Sequence, residues 1–375
     1  MKRLTLLFGL AAAAAVMATA PAASAGSGDR DGAGQAVFVQ TNELTGNRIA
    51  VYDRSPDGTL TPAGTYATGG NGGAALPGTQ SDHLASQGSL VYDADHALLL
   101  AVNAGSDTVS VFRVQGDRLK LEQIVPSGGQ FPASIAVSDR LVYILNSGGT
   151  GILQGFRVQG HTLEPIPDSA RSLGLANTDP PFFLTSPGQA GFTPDGQQLI
   201  ATTKASGSTI DVFRVRRDGR LSETPVANPS ATPVPFAFTF GPEGRLVAGE
   251  AGASSVTTYA LNGDGTLSDP KSQTDGQAAL CWIARARGFY YVSNTASNTL
   301  SSFTVGPDGQ PVLRAPVAAN TDPGPIDLAA SGPFLYAETG LTGTVDEFHV
   351  NGDGSLAPIG TAAGLPAGIE GIAAS

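Results

Sequence analysis

The residue types that do chemistry are unevenly supplied in this chain of 375 residues. Cysteine occurs once and histidine four times. Cys281 alone cannot build a disulfide framework. His83, His96, His161 and His349 are scattered, without the spacing of a zinc site built on Cys and His. No serine motif forms a nucleophile elbow, and no glycine-rich loop cradles a phosphate. Carboxylates dominate, with 32 Asp and Glu against 21 Lys and Arg, a net charge of -11. That balance argues against a nucleic-acid partner, because phosphate binding needs clustered Lys and Arg. Two chemistries suit such a chain. Paired carboxylates can do acid–base work with a raised pKa, or oxygen ligands can hold a cation.

The elements that must position these groups come in a repeat. An apolar strand, a polar turn, a second strand ending in an aromatic, a Gly turn and a Leu recur seven times. The clearest copy is LLLAVNAGSDTVSVFRVQGDRL, from Leu98. The aromatics fall at Tyr52, Phe112, Phe156, Phe213, Tyr259, Phe303 and Phe348, with spacings of 60, 44, 57, 46, 44 and 45. A period near 45 with β-branched runs and Asp-Gly turns matches the four-stranded blade of a β-propeller. A further strand precedes each repeat except the first, as in FPASIAVS from Phe131 and GPIDLAAS from Gly324. The orphan GIEGIAAS, from Gly368, would then complete the first blade and close the ring. The fold class is therefore all-β, a seven-bladed propeller closed by its C-terminal strand.

The two long spacings mark insertions at 66–86 and 168–187. Both join an outer strand to the next inner strand, so both lie on one face, the top, where they are expected to cap a pocket at the channel mouth. Aligning the inner strands places Gln87, Ser134, Gln189, Ala237, Leu280, Asp327 and Glu370 near that mouth. Asp327 and Glu370 come from neighbouring blades and form the candidate acid–base or cation pair. The second strands end at Asn42, Asn103, Asn146, Thr203, Glu250, Asn294 and Glu338. Glu250, Glu338 and the adjacent Lys204 break the Asn pattern and are candidate functional groups. His83 and Arg171, one in each insertion, could reach the mouth as a base and an anion contact. Trp282 and Cys281 read as packing residues.

Residues 1–25 read as a secretory signal. Lys2 and Arg3 precede an apolar run, and Ala23-Ser24-Ala25 forms a cleavage site. The expected organisation is a signal peptide at 1–25, a flexible tail at 26–35 and one propeller domain at 36–375. The mature protein is expected outside the cytoplasm, without a membrane span and as a monomer.

The whole mature chain resembles the lactonase-type seven-bladed propellers, which include propeller-type 6-phosphogluconolactonases and the carboxymuconate-lactonizing enzyme. The resemblance rests on inner strands such as Phe192-Thr193-Pro194-Asp195-Gly196, second strands such as Tyr291-Val292-Ser293-Asn294, and the aromatic-then-Asp-Gly-Leu ends. It implies a lactone as substrate and a His with Arg residues around the mouth. The family's His positions are matched here by Gln87 and Gln189, and Lys204 is the only cation at the second-strand ends. Three readings follow. The first is a secreted lactonase or lactonizing enzyme that uses Asp327, Glu370 or His83 to activate water. Lys204 or Arg171 would steady the oxyanion, and Gln87, Ser134, Gln189, Glu250 and Glu338 would contact substrate. The second is a non-catalytic propeller that binds a glycan, peptide or protein on its top face. The third is a hydrolase that depends on a divalent cation between Asp327 and Glu370. Only the third takes a cofactor.

Overall fold

The computed structural model describes residues 35–78 and 80–375. The signal segment at 1–25 and residues 26–34 of the tail lie outside the described residues. Seven antiparallel sheets succeed one another along the chain, each running from an inner to an outer strand. Blade one is the exception in chain order. Its inner strand, Ile372–Ala374, pairs with Val37–Val39, so the C-terminus closes the ring as expected.

Burial explains the strand patterns. The second strands sit between two neighbouring blades and are apolar on both faces, as in Leu98–Asn103, where all six residues are buried. Outer strands cover one face only and alternate, as in Leu60–Ala67. Seven apolar clusters, one per interface between adjacent blades, form the core of the described residues.

The Asp-Gly turns do more than reverse the chain. Asp57 Oδ1 accepts the Thr59 N–H at 3.1 Å, and Gly58 takes φ +91°, which favours glycine. A Cβ at Gly58 would lie 2.3 Å from the Phe334 ring of blade seven. The Tyr336 hydroxyl of that blade donates to Gly58 O at 2.8 Å. Tyr291 and Tyr143 make the same bond to Gly354 O and Gly219 O, at 2.8 and 2.9 Å. At these three interfaces a turn is latched to the second strand of the preceding blade.

Both insertions lie on the top face. The second carries one element the repeat did not announce. Arg171–Ser172 pairs with Ile152 and Leu153 as a fifth strand of blade three.

Two measurements test the ring closure. Ile372 is buried between blades seven and one. Ile372→Ala should cost roughly 2–5 kcal/mol in denaturant unfolding. At the same interface Glu347 accepts the Leu60 N–H at 3.2 Å. Burial, with Asp346 and Asp57 nearby, pushes its carboxyl from 4.5 up to about 7. A raised carboxyl pKa favours the protonated folded state, so this contribution is present below pH 4.5 and is lost as pH rises towards 7. Unfolding of Glu347→Gln between pH 4.5 and 7.5 should show a shallower decline in stability than the parent.

Candidate functional site

The strand registers decide which side chains meet. Pro325, Leu280 and Pro235 pair with Thr339, Asn294 and Glu250, and each inner strand then bulges before pairing resumes three residues on, at Leu328, Ile283 and Phe238. Asp327 is therefore level with Ala237 and with Trp282, not with Leu280. Leu90 pairs with Ala101 in blade two, so Ser89, not Gln87, holds the equivalent place there. Thr339, not Glu338, ends the second strand of blade seven. Glu338 sits one residue earlier, and a shift of one residue turns a side chain to the opposite face of the sheet.

That shift aims Glu338 at blade one. Its Oε1 accepts the Gly371 N–H at 2.7 Å, while the buried Oε2 has no partner. Burial first and Asp327 second push the Glu338 carboxyl well above its usual range. Burial also lifts Asp327 to about 7. Its Oδ1 accepts the Leu328 N–H at 2.8 Å. Asp327 lines a central cavity of about 270 Å³ together with Gln87 and Gln189.

Glu370 completes the acidic group above this cavity. Its carboxylate accepts the N–H groups of Leu84 and Ser86, in the first insertion. Burial raises its pKa well above the usual range, followed by Asp82. Asp82 is the group that sequence reasoning missed. Its carboxyl hydrogen-bonds that of Glu370 and is raised by burial, an effect that Lys204 opposes. Asp82 Oδ1 also accepts the Ala85 N–H at 2.8 Å, an ordinary turn-forming contact that gives an Asp in a loop no distinguishing signal.

Lys204 lies on the other side of the same segment and is 1% exposed. Its ammonium donates to Ala85 O at 2.6 Å, to Ser186 Oγ at 2.8 Å and to Phe183 O. The Phe236 ring centroid is 5.0 Å away. Burial lowers its pKa to about 8, offset by Asp82, Cys281 and Glu370. An ammonium has three N–H groups, and all three are engaged by the two insertions. Lys204 therefore holds the cap and has no donor left for an oxyanion. Burial pushes the Cys281 thiol up beside it, so the thiolate is disfavoured.

The insertions also bind each other. Leu76 and Phe182 form a bridge, with Leu76 N donating to Pro181 O and Phe183 N to Leu76 O, each at 2.8 Å. The two insertions therefore form one joined layer, although none of their residues lines the central cavity. Its first half rests on blade seven, where a Cβ at Gly340 would lie 1.9 Å from Ser81 O.

Several predicted substrate contacts are consumed by the fold. The Gln87 amide crosses to blade six, donating to Ile283 O and accepting its N–H, both at 3.0 Å. Ser134 Oγ donates to Gln87 O and accepts Ala190 N–H, at 2.7 and 3.1 Å. Gln189 Oε1 accepts Phe238 N–H at 2.7 Å. The Trp282 indole donates to Ser86 O at 2.8 Å. Glu250 is held apart from the mouth by Thr232, Thr257 and Tyr259. Arg171 donates to the carbonyls of Asp168, Ala170, Leu221 and Ser222, on blades three and four. It meets no residue of the mouth.

His83 differs from all of these. It is half-buried, its ring makes no hydrogen bond among the described residues, and its buried Nδ1 has no partner. Burial lowers its pKa. The ring lies against the backbone of Gly368, where a Cβ would come within 2.1 Å. Among the described residues no three His, Cys, Asp or Glu side chains are arranged to hold a metal ion, and no helix is long and apolar enough to cross a membrane.

The family model for Lactonase, 7-bladed beta-propeller, matches residues 10–162. Over that segment the chain matches the lactonase-type propellers, and its seven-bladed fold agrees with theirs. Among solved structures, the putative 6-phosphogluconolactonase of Bacteroides fragilis is 17% identical, with a TM-score of 0.71 over 92% of this chain and 99% of that one. That of Bacteroides uniformis is 20% identical, with a TM-score of 0.69 over 90% and 99%. The periplasmic gluconolactonase of Pseudomonas aeruginosa is 18% identical, with a TM-score of 0.69 over 90% and 98%. No curated protein matches significantly. In this propeller, then, two joined insertions and an acidic cluster are organised around one buried ammonium.

The cap anchor is directly testable. Lys204→Met leaves Asp82 and Glu370 without their counter-charge and should destabilise the protein by roughly 3–5 kcal/mol. Hydrogen exchange should rise first in residues 68–86 and 176–187, before the strands of the ring.

Proposed function

We propose that this protein is an exported hydrolase of neutral lactones and that His83 is its general base. The observation that carries the reading is the unengaged ring of His83, which adjoins Asp82 in the chain and packs against Gly368. Of the four predicted catalytic side chains, Lys204 has every donor engaged, and Asp327 and Glu370 accept backbone N–H groups in the interior. The lowered pKa leaves the imidazole neutral near pH 7, the form that can accept a proton.

In this reading His83 takes a proton from water as its oxygen adds to the lactone carbonyl. The C–O ring bond then breaks, and the departing ring oxygen receives a proton. Asp82 and Glu370 are suited to supply it, because two carboxyls in contact retain a proton to higher pH than one alone. Phosphorylated lactones fit poorly. Four carboxyls surround the mouth, and the only ammonium among them is saturated by the cap. The apparent leader at 1–25 supports export, and the family resemblance supports a small-molecule substrate.

One observation favours a second reading, a binding propeller. Leu44, Leu76, Phe182, Leu184 and Leu341 are exposed in top-face turns and in the cap.

The test is acid release from a panel of neutral lactones in a pH-stat. His83→Gln should reduce the rate by about 10²–10⁴-fold while leaving the unfolding midpoint unchanged. Absence of hydrolysis across the panel would favour the binding reading. A rate abolished by a chelator would favour the metal-dependent one.

A further inference from the structure

The net charge of -11 conceals a local reversal on the face opposite the cap. Arg214, Arg216, Arg217 and Arg220 fall within seven residues, in the third strand of blade four and the turn that follows it. The propeller brings Arg157 of blade three to that turn, where its guanidinium donates to Asp218 O at 3.0 Å. Arg140 shares with Arg157 a groove of about 430 Å³, which also presents Gln159 and Thr162. On the other flank of blade four, Arg214 lines a second groove of about 400 Å³ with Gln198, Thr224 and Asp264.

Acidic groups neutralise only part of this patch. Asp218 pairs with Arg220 at 2.7 Å, and Glu223 with Arg216 at 3.6 Å. Glu164 in the first groove and Asp264 in the second each add a carboxylate, so the patch holds six guanidinium groups against four carboxylates. Among the described residues, the side chains of Arg140, Arg214 and Arg217 form no ion pair or hydrogen bond. All three are exposed. Three guanidinium groups thus stand unpaired in water, spread over two grooves and the turn between them. A guanidinium is suited to grip planar carboxylates with paired N–H donors.

We propose that this face binds a linear polysaccharide bearing carboxylates. A flexible polyanion can span both grooves, meeting the arginines with its carboxylates and the amides and hydroxyls with its own hydroxyls. The grooves offer no exposed aromatic ring on which a base could stack, so single-stranded nucleic acid is the poorer fit. Elsewhere the protein's acidity repels a polyanion, which confines binding to this face.

The test uses the intact protein and fluorescent oligogalacturonate, with neutral dextran and single-stranded DNA as comparisons. Oligogalacturonate should bind, with affinity falling steeply between about 50 and 200 mM NaCl. A variant combining Arg140→Ala, Arg214→Ala and Arg217→Ala should lose about tenfold or more in affinity at 50 mM NaCl. Its unfolding midpoint should be unchanged, because these exposed side chains form no ion pair or hydrogen bond among the described residues. Lack of binding at low salt would overturn the proposal. So would undiminished binding by the variant, or DNA binding as tight as that of the oligosaccharide.

Discussion

The buried ammonium of Lys204 is the interaction on which the top of this propeller depends. A lysine taken out of water must find partners for all its N–H groups or lose its charge. Here it finds them in two different insertions, at Ala85 on one side and at Phe183 and Ser186 on the other. Neither insertion has a core of its own. Each borrows order from the other through the Leu76–Phe182 bridge, and both borrow it from blade four through Lys204. Opposite Lys204, Glu370 holds the Leu84 and Ser86 amides from blade one. The segment from Asp82 to Ser86 is thus gripped from both sides of the mouth.

This arrangement separates structure from chemistry among the polar groups. Groups that crowd the mouth in sequence alignment are drawn into the frame when the blades close around it. Gln87 forms a bar across the channel, and Ser134 and Gln189 tie inner strands together. What remains unengaged is His83, held in place by the close approach of Gly368. A stable scaffold that leaves one imidazole unpaired is consistent with function carried by a site placed on the fold, not by the fold itself.

The ring was legible in the sequence because each blade repeats the same burial. Leu98–Asn103 and its counterparts are apolar for one reason, packing between two neighbours, so the pattern survives seven times. The closing strand was legible because the first repeat lacked an inner strand and the last had one to spare. The site was less legible because it depends on departures from the repeat. Bulges after Pro235, Leu280 and Pro325 shift the register, and no residue type announces them. They account for the displacement of Trp282, and the one-residue offset of Glu338 accounts for its meeting with Asp327. Lys204 stood out in sequence as a break in pattern. Its partners did not, because they are mostly main-chain carbonyls of irregular loops.

The most direct test of this account is the titration of the His83 ring by NMR, assigned by comparison with His83→Gln. The imidazole should stay neutral at pH 7 and protonate with a midpoint below 6.5, the ordinary value for histidine. A midpoint at or above 6.5 would contradict this, because the ring would then be solvated or paired with a carboxylate and would not be a desolvated base.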